Sequence, residues 1–98
     1  MFEPTKDQYG RAIWTPADPT VRTANGAPIT EGLRVFTNNL DRGTVDMSRA
    51  TYEWHGPEGR WVLWFDVTLD TSYKGEPTTG STSQSDDRVA TRFEGKTA

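Results

Sequence analysis

The chain has no cysteine, a single histidine (His55), only two isoleucines and no apolar run approaching the length of a membrane span. Without cysteine, a disulfide framework, a thiolate zinc centre and a cysteine nucleophile are all excluded. One histidine gives no basis for a histidine-rich metal centre. A Ser-His-Asp triad would need Ser48 or Ser72 to reach His55, which stands beside a Gly-Pro turn and reads as a surface residue. The first thirty residues hold Pro4, Pro16, Pro19 and Pro28 and no apolar run of seven, so a signal-peptide core is not expected. The resulting expectation is a cytoplasmic protein without a membrane partner.

Aliphatic side chains are also scarce. Leu, Ile, Val and Phe together make up 16 of 98 residues, low enough to suggest disorder in a strongly charged chain. The net charge is only −3, with both signs interspersed, and four Trp and three Tyr supply the missing apolar area. Each large aromatic side chain buries roughly 150–250 Å². A folded core built on aromatics is therefore feasible, although a chain of this length buries only about 60–65% of the surface it exposes when unfolded.

Composition divides the chain into a proline-rich leader over residues 1–30 and a small β domain over 31–98, with no internal repeat. In the leader, the prolines remove donors and push their preceding residues toward extended geometry, which predicts an arm without regular helix. Tyr9, Ile13 and Trp14 are the side chains expected to dock it on the domain. In the domain, Leu33 to Phe36 and Thr44 to Ser48 alternate around the turn formers Asn38 to Gly43, predicting two strands. Thr51 to His55 places Tyr52 and Trp54 on one face, and Gly56-Pro57-Glu58-Gly59 then predicts a hairpin turn. The strongest segment is Arg60 to Leu69: Trp61, Leu63, Phe65, Val67 and Leu69 recur at period 2, while Val62 and Trp64 make the first half of the other face apolar too. It is expected to be the central strand. Residues 75–87 contain no apolar side chain and are expected to form an exposed, mobile loop before a last strand over Arg88 to Glu94.

The count is about five strands and no helical periodicity. Five short bent strands with one apolar face close most economically into a barrel, which removes edges that would recruit other chains. The run Gly32-Leu33-Arg34-Val35, then Arg42-Gly43-Thr44-Val45, then Trp61-Val62-Leu63-Trp64-Phe65-Asp66-Val67 resembles the opening strands of SH3-like small barrels of the KOW and Tudor-like groups. Val35 to Val45 also resembles a V-x-T-N-N-L-x-x-G-x-V stretch found in small uncharacterised proteins of actinobacterial bacteriophages and their hosts. The fold these resemblances imply is mainly β, a small five-stranded SH3-like barrel with an extended N-terminal arm. An open antiparallel sheet with the arm laid across it is the rival architecture.

Enzymatic chemistry finds no specific pattern. Asp66, Thr68 and Asp70 share a strand face at about 6–7 Å spacing, too wide for a calcium shell without another segment. Carboxylate pairs drawn from Glu53, Asp66 and Asp70 occur by chance in any acidic β protein, and no glycine-rich loop precedes a helix. The chain is expected to be no enzyme and to need no cofactor or metal. The aromatic excess points to binding: Phe36, Tyr52, Trp54, Trp64 and Tyr73 cannot all face one small core, and exposed aromatics mark interaction surfaces. The groove is expected beside Tyr52, Trp54 and Trp64, and the partner is expected to be a protein, in keeping with a phage accessory protein that engages a host factor. Two alternatives stand beside this. Arg34, Arg42, Arg49, Arg60, Arg88 and Arg92 could form a stripe for nucleic acid, against the overall negative charge. The leader could instead reach across a neighbouring subunit in an assembly. The oligomeric state is left open.

Overall fold

The computed structural model describes residues 2–71 and 80–91 of the 98. These form one antiparallel sheet of six strands: β1 (Thr5–Lys6), β2 (Ala12–Ile13), β3 (Arg34–Phe36), β4 (Arg42–His55), β5 (Arg60–Leu69) and β6 (Ser81–Ser85). A short 3-10 turn, Asp86–Arg88, follows β6. Among the described residues no helix is long and apolar enough to cross a membrane.

The β4–β5 hairpin is the frame. Its pairing runs from His55↔Arg60 at the turn to Gly43↔Leu69 at the far end. The turn closes because Gly59 adopts a φ of 64°, a conformation that glycine reaches without steric cost, and donates its N–H to the His55 carbonyl at 2.9 Å. In β5 the period-2 pattern becomes a buried face, with Leu63, Phe65 and Val67 at 2% exposure or less. Val62 on the other face is also buried, as its apolar character predicts.

Where two strands were expected over Thr44 to Ser48 and Thr51 to His55, β4 is one fourteen-residue strand. Its register shifts midway, because residues 47–50 of β4 span the gap that Phe65 alone spans on β5. This bulge explains the break in alternation: Met47 and Ala50, three residues apart, are both buried. The strand is thereby divided into two halves that receive different partners on the same edge. β3 pairs with the first half through Arg34↔Thr44 and Phe36↔Arg42, and β2 pairs with the second through Ile13↔Thr51. Gly43 sits where a Cβ would lie 2.5 Å from Val67 Cγ1 and 2.6 Å from the Thr68 carbonyl oxygen, so only glycine fits this crossing.

The expected mobile loop over 75–87 is corrected for its second part. Ser81–Ser85 forms β6 and pairs with β5 from Thr68↔Ser81 to Trp64↔Ser85, and Gln84, Ser85 and Asp86 are buried. A strand needs backbone partners before it needs apolar side chains, and the open edge of β5 supplies them. Residues 75–79 lie outside the described residues. The expected last strand is shorter at its start, since Arg88 belongs to the 3-10 turn. Val89 is 1% exposed, and Ala90 and Phe36 exchange hydrogen bonds of 2.7 and 3.1 Å. Its expected end, 92–94, also lies outside the described residues.

The leader is docked. Ala12 and Ile29 are buried in the core with Val35, Val45, Leu63 and Val67, and Phe2, Trp14 and Val21 lean against it. The Trp14 N–H donates to the Ala50 carbonyl at the bulge, and Glu31 Oε1 accepts the Met47 N–H at 2.7 Å. Of the three side chains expected to dock, Tyr9 does not: it is 73% exposed at the β1–β2 turn, with the Arg11 guanidinium 5.4 Å from its ring centre.

Candidate functional site

Strand alternation fixes which aromatics can meet. In the hairpin register Tyr52 faces Leu63 and Trp54 faces Trp61, so these four share the core face near the turn. Trp64 lies opposite Thr51 and is displayed on the other face. The expected grouping of Tyr52, Trp54 and Trp64 is therefore corrected: Trp64 lies an odd step along β5 from Leu63 and Trp61, the residues that face Tyr52 and Trp54, and Trp61 takes its place.

Tyr52, Trp54 and Arg60 line one groove of about 260 Å³ together with Phe2, Pro19, Thr20, Val21, Gly59 and Trp61. Two edge-to-face ring pairs build its walls, Phe2 on Tyr52 and Trp54 on Trp61, each with centroids 5.3 Å apart. This geometry sets the positive edge of one ring against the negative face of the next. Trp54, 44% exposed, forms the lip. Tyr52, 7% exposed, is a wall more than a contact surface. Its hydroxyl donates to Asp18 Oδ2 at 2.9 Å, and Asp18 in turn accepts from the Thr15 N–H and hydroxyl, so the leader is pinned to the groove floor. Burial first, and then the Asp18 bond, push the Tyr52 phenol well above its ordinary value of 10.0. The Trp61 indole N–H is buried with no acceptor among the described residues.

Arg60 stands at the rim but carries little free charge. Its guanidinium donates to both oxygens of Asp86 at 3.1 and 3.2 Å and to Glu58 Oε1 at 2.9 Å. The Asp86 bonds, then the Glu58 bond, raise its pKa above an already high value. Asp86 is 2% exposed and also accepts the Leu63 N–H at 3.1 Å. One buried carboxylate thus ties the end of β6 to β5 and to the rim of the groove. The groove is apolar and aromatic, and the guanidinium at its edge is already occupied by carboxylates.

The remaining expected residues are distributed elsewhere. Phe36 lines a second groove of about 420 Å³ with Leu40, Val89 and Ala90, and the Arg42 guanidinium stacks 4.5 Å from its ring centre. The Trp64 indole donates to Glu53 Oε1 at 3.0 Å, and Arg88 lies 5.9 Å from its ring centre. Arg34 forms a two-pronged pair with Asp70 and also donates to Thr44 Oγ1; the Arg34 bond holds the Asp70 carboxyl below its ordinary value of 3.8. Tyr73 lies outside the described residues. Phe2, Trp61 and Asp86 are the members of the site that the sequence did not single out. Trp61 was within reach, since the hairpin turn places it across from Trp54. Phe2 was not, because only tertiary docking brings the N-terminus to β4.

His55 is exposed at the hairpin turn, with Glu58 3.9 Å away. Among the described residues no group of three or more His, Asp or Glu side chains converges closely enough to hold a metal ion. No protein-family model, curated protein or solved structure matches the chain.

Proposed function

We propose that the chain is a non-enzymatic interaction module that takes an apolar or aromatic segment of another protein into the groove between Phe2, Tyr52, Trp54 and Trp61. The observation that carries this reading is Trp54: a tryptophan 44% exposed at the lip of an aromatic groove whose rim guanidinium, Arg60, is already taken up by Asp86 and Glu58. Large aromatics at a concave apolar site are the side chains that dominate binding energy in protein interfaces. The proposed fold is an SH3-like barrel. Its support is the run of pairings from β3 through β4 and β5 to β6, with the segment after β6 and the 3-10 turn returning to β3 by the isolated Phe36–Ala90 bridge. The docked leader then forms one wall of the groove. A cytoplasmic phage accessory protein that occludes a host factor is the setting the sequence resemblance suggests.

Nucleic acid is the second reading. Arg34, Arg49 and Arg60, half of the six arginines expected in a stripe, are paired with Asp70, Asp66 and Asp86, which weakens it. Arg42 and Arg88, stacked over Phe36 and Trp64, remain in its favour, and Arg92 lies outside the described residues. A tagged pull-down from bacterial lysate, run with and without nuclease, separates the two. A discrete protein retained after nuclease and lost in Trp54→Ala, with the circular dichroism unchanged, supports the module. Retention only without nuclease favours nucleic acid.

A further inference from the structure

The groove between Phe2, Tyr52, Trp54 and Trp61 is apolar within and acidic around its walls. On the Tyr52 side, the Asp18 carboxylate accepts from the phenol hydroxyl at 2.9 Å, and its other donors, the Thr15 N–H and hydroxyl, are neutral too. These bonds satisfy its oxygens without offsetting its charge. On the Arg60 side, a single guanidinium meets three carboxylates: Glu58 at 2.9 Å, Asp86 at 3.1 Å and Asp87 at 3.7 Å. Tyr52 and Arg60 both line the groove, so four carboxylates and one guanidinium are in contact with its lining.

This surplus of three negative charges equals the net charge of the whole chain, −3 with His55 neutral, so the other charged residues balance one another. The guanidiniums next along the chain are engaged elsewhere: Arg88 lies over Trp64, which is displayed on the other sheet face, and Arg22 donates to the Gly26 carbonyl. The negative field reaches the groove wall. Burial first, then the Asp18 bond, then the charges of Asp18 and Asp86 push the Tyr52 phenol up. The Glu58 and Asp87 side chains are 52% and 57% exposed, so both keep oxygen surface for a further donor. Complementary charge beside an apolar contact selects the partner and repels wrong ones. A segment rich in carboxylates, or a phosphodiester backbone, would meet repulsion at this groove.

We propose that the protein segment taken into this groove carries lysine or arginine beside its apolar anchor, the anchor packing on Trp54 and the cation reaching Glu58 and Asp87 past the occupied Arg60. The inference rests on the groove being the docking site, and the test tells the two apart. Three short fluorescent peptides with the same Trp-Leu anchor, flanked by lysines, by glutamines or by glutamates, are titrated with the full chain and followed by anisotropy. The lysine peptide should bind best and the glutamate peptide at least about tenfold more weakly. The difference should shrink between about 20 mM and about 500 mM salt, as the exposed charges are screened. Glu58→Gln combined with Asp87→Asn keeps the acceptors for Arg60 and Ser85, and should cut the ratio below about threefold with the circular dichroism unchanged. Asp41→Asn, which removes a carboxylate from the loop between β3 and β4, should leave the ratio as it is. Trp54→Ala should release every peptide that binds. Equal binding of the three, best binding of the glutamate peptide, or a ratio that the double variant does not change overturns this inference and leaves the groove as a docking site. Binding of none overturns both. A short oligothymidylate that binds the wild type but not Trp54→Ala overturns the inference in favour of nucleic acid.

Discussion

β5 has two neighbours of opposite character. Along β4 it meets buried Val45, Met47, Ala50 and Tyr52; along β6 it meets the run Ser-Thr-Ser-Gln-Ser. The first contact is a side-chain contact that a hydrophobic pattern announces. The second is a backbone ladder whose far end is secured by Asp86, through its bonds to Arg60 and to the Leu63 N–H. Pairing to β4 is therefore held by the hydrophobic effect, and pairing to β6 by hydrogen bonds and one buried carboxylate. The two sides of one strand should fail under different perturbations.

The largest effect is expected where both sides depend on the same residue. Leu63, fully buried, should lose about 2–5 kcal/mol as Leu63→Ala, measured by urea unfolding, from lost transfer energy plus the cavity left behind. A loss well under 1 kcal/mol would mean that the hairpin face is not the core. Removing the tether sharpens the contrast. Asp86→Ala should cost about 2–3 kcal/mol, below the usual figure for breaking a buried pair because the Arg60 side chain left behind is 39% exposed and can be hydrated. Its signature is selective: hydrogen exchange should accelerate in Ser81–Ser85 and at Ala90 before it does in β4. Uniform acceleration would show that β6 is not held separately.

Gln84 tests the same boundary from the other direction. Its side chain is buried opposite Phe65, and its carbonyl oxygen has no partner among the described residues. Gln84→Met keeps the volume and removes the unsatisfied acceptor, so a gain of about 1 kcal/mol is expected in the same unfolding assay. A loss would mean that the amide serves the fold through its Thr82 contact.

The smallest effects at neutral pH belong to the leader. Tyr52→Phe removes the bond to Asp18 and should cost about 0.5–1.5 kcal/mol at pH 7. The pH profile is more telling than the size. The folded state holds the phenolic proton more tightly than the unfolded chain does, so this contribution is fully present below pH 10.0 and is lost as pH rises toward the elevated folded value. The wild type should therefore lose stability above pH 10, and Tyr52→Phe should lose less over the same range. The opposite sign applies to Asp7, Asp46 and Asp70. Their lowered carboxyl values contribute stability present above 3.8 and lost as pH falls below it.

The candidate groove was legible in part. Tyr52 and Trp54 alternate on one strand and Arg60 follows the turn, so their neighbourhood could be read from spacing. Trp64 was misplaced because a one-residue step along β5 reverses the face. The ion pairs that neutralise Arg34 and Arg60 join residues 36 and 26 positions apart and leave no trace in local sequence.

What the sequence alone determined follows from local chemistry. The Gly-Pro turn and the two alternating segments around it specify the hairpin, because side-chain period and turn geometry are properties of neighbouring residues. The scarcity of aliphatic residues likewise required an aromatic contribution to the core. Tertiary structure alone decided the bulge that merges two expected strands into β4, the recruitment of a polar segment as β6 and the docking of the leader through Ala12, Ile29 and Asp18. Each of these depends on unpaired backbone groups or a buried partner supplied by a distant part of the chain.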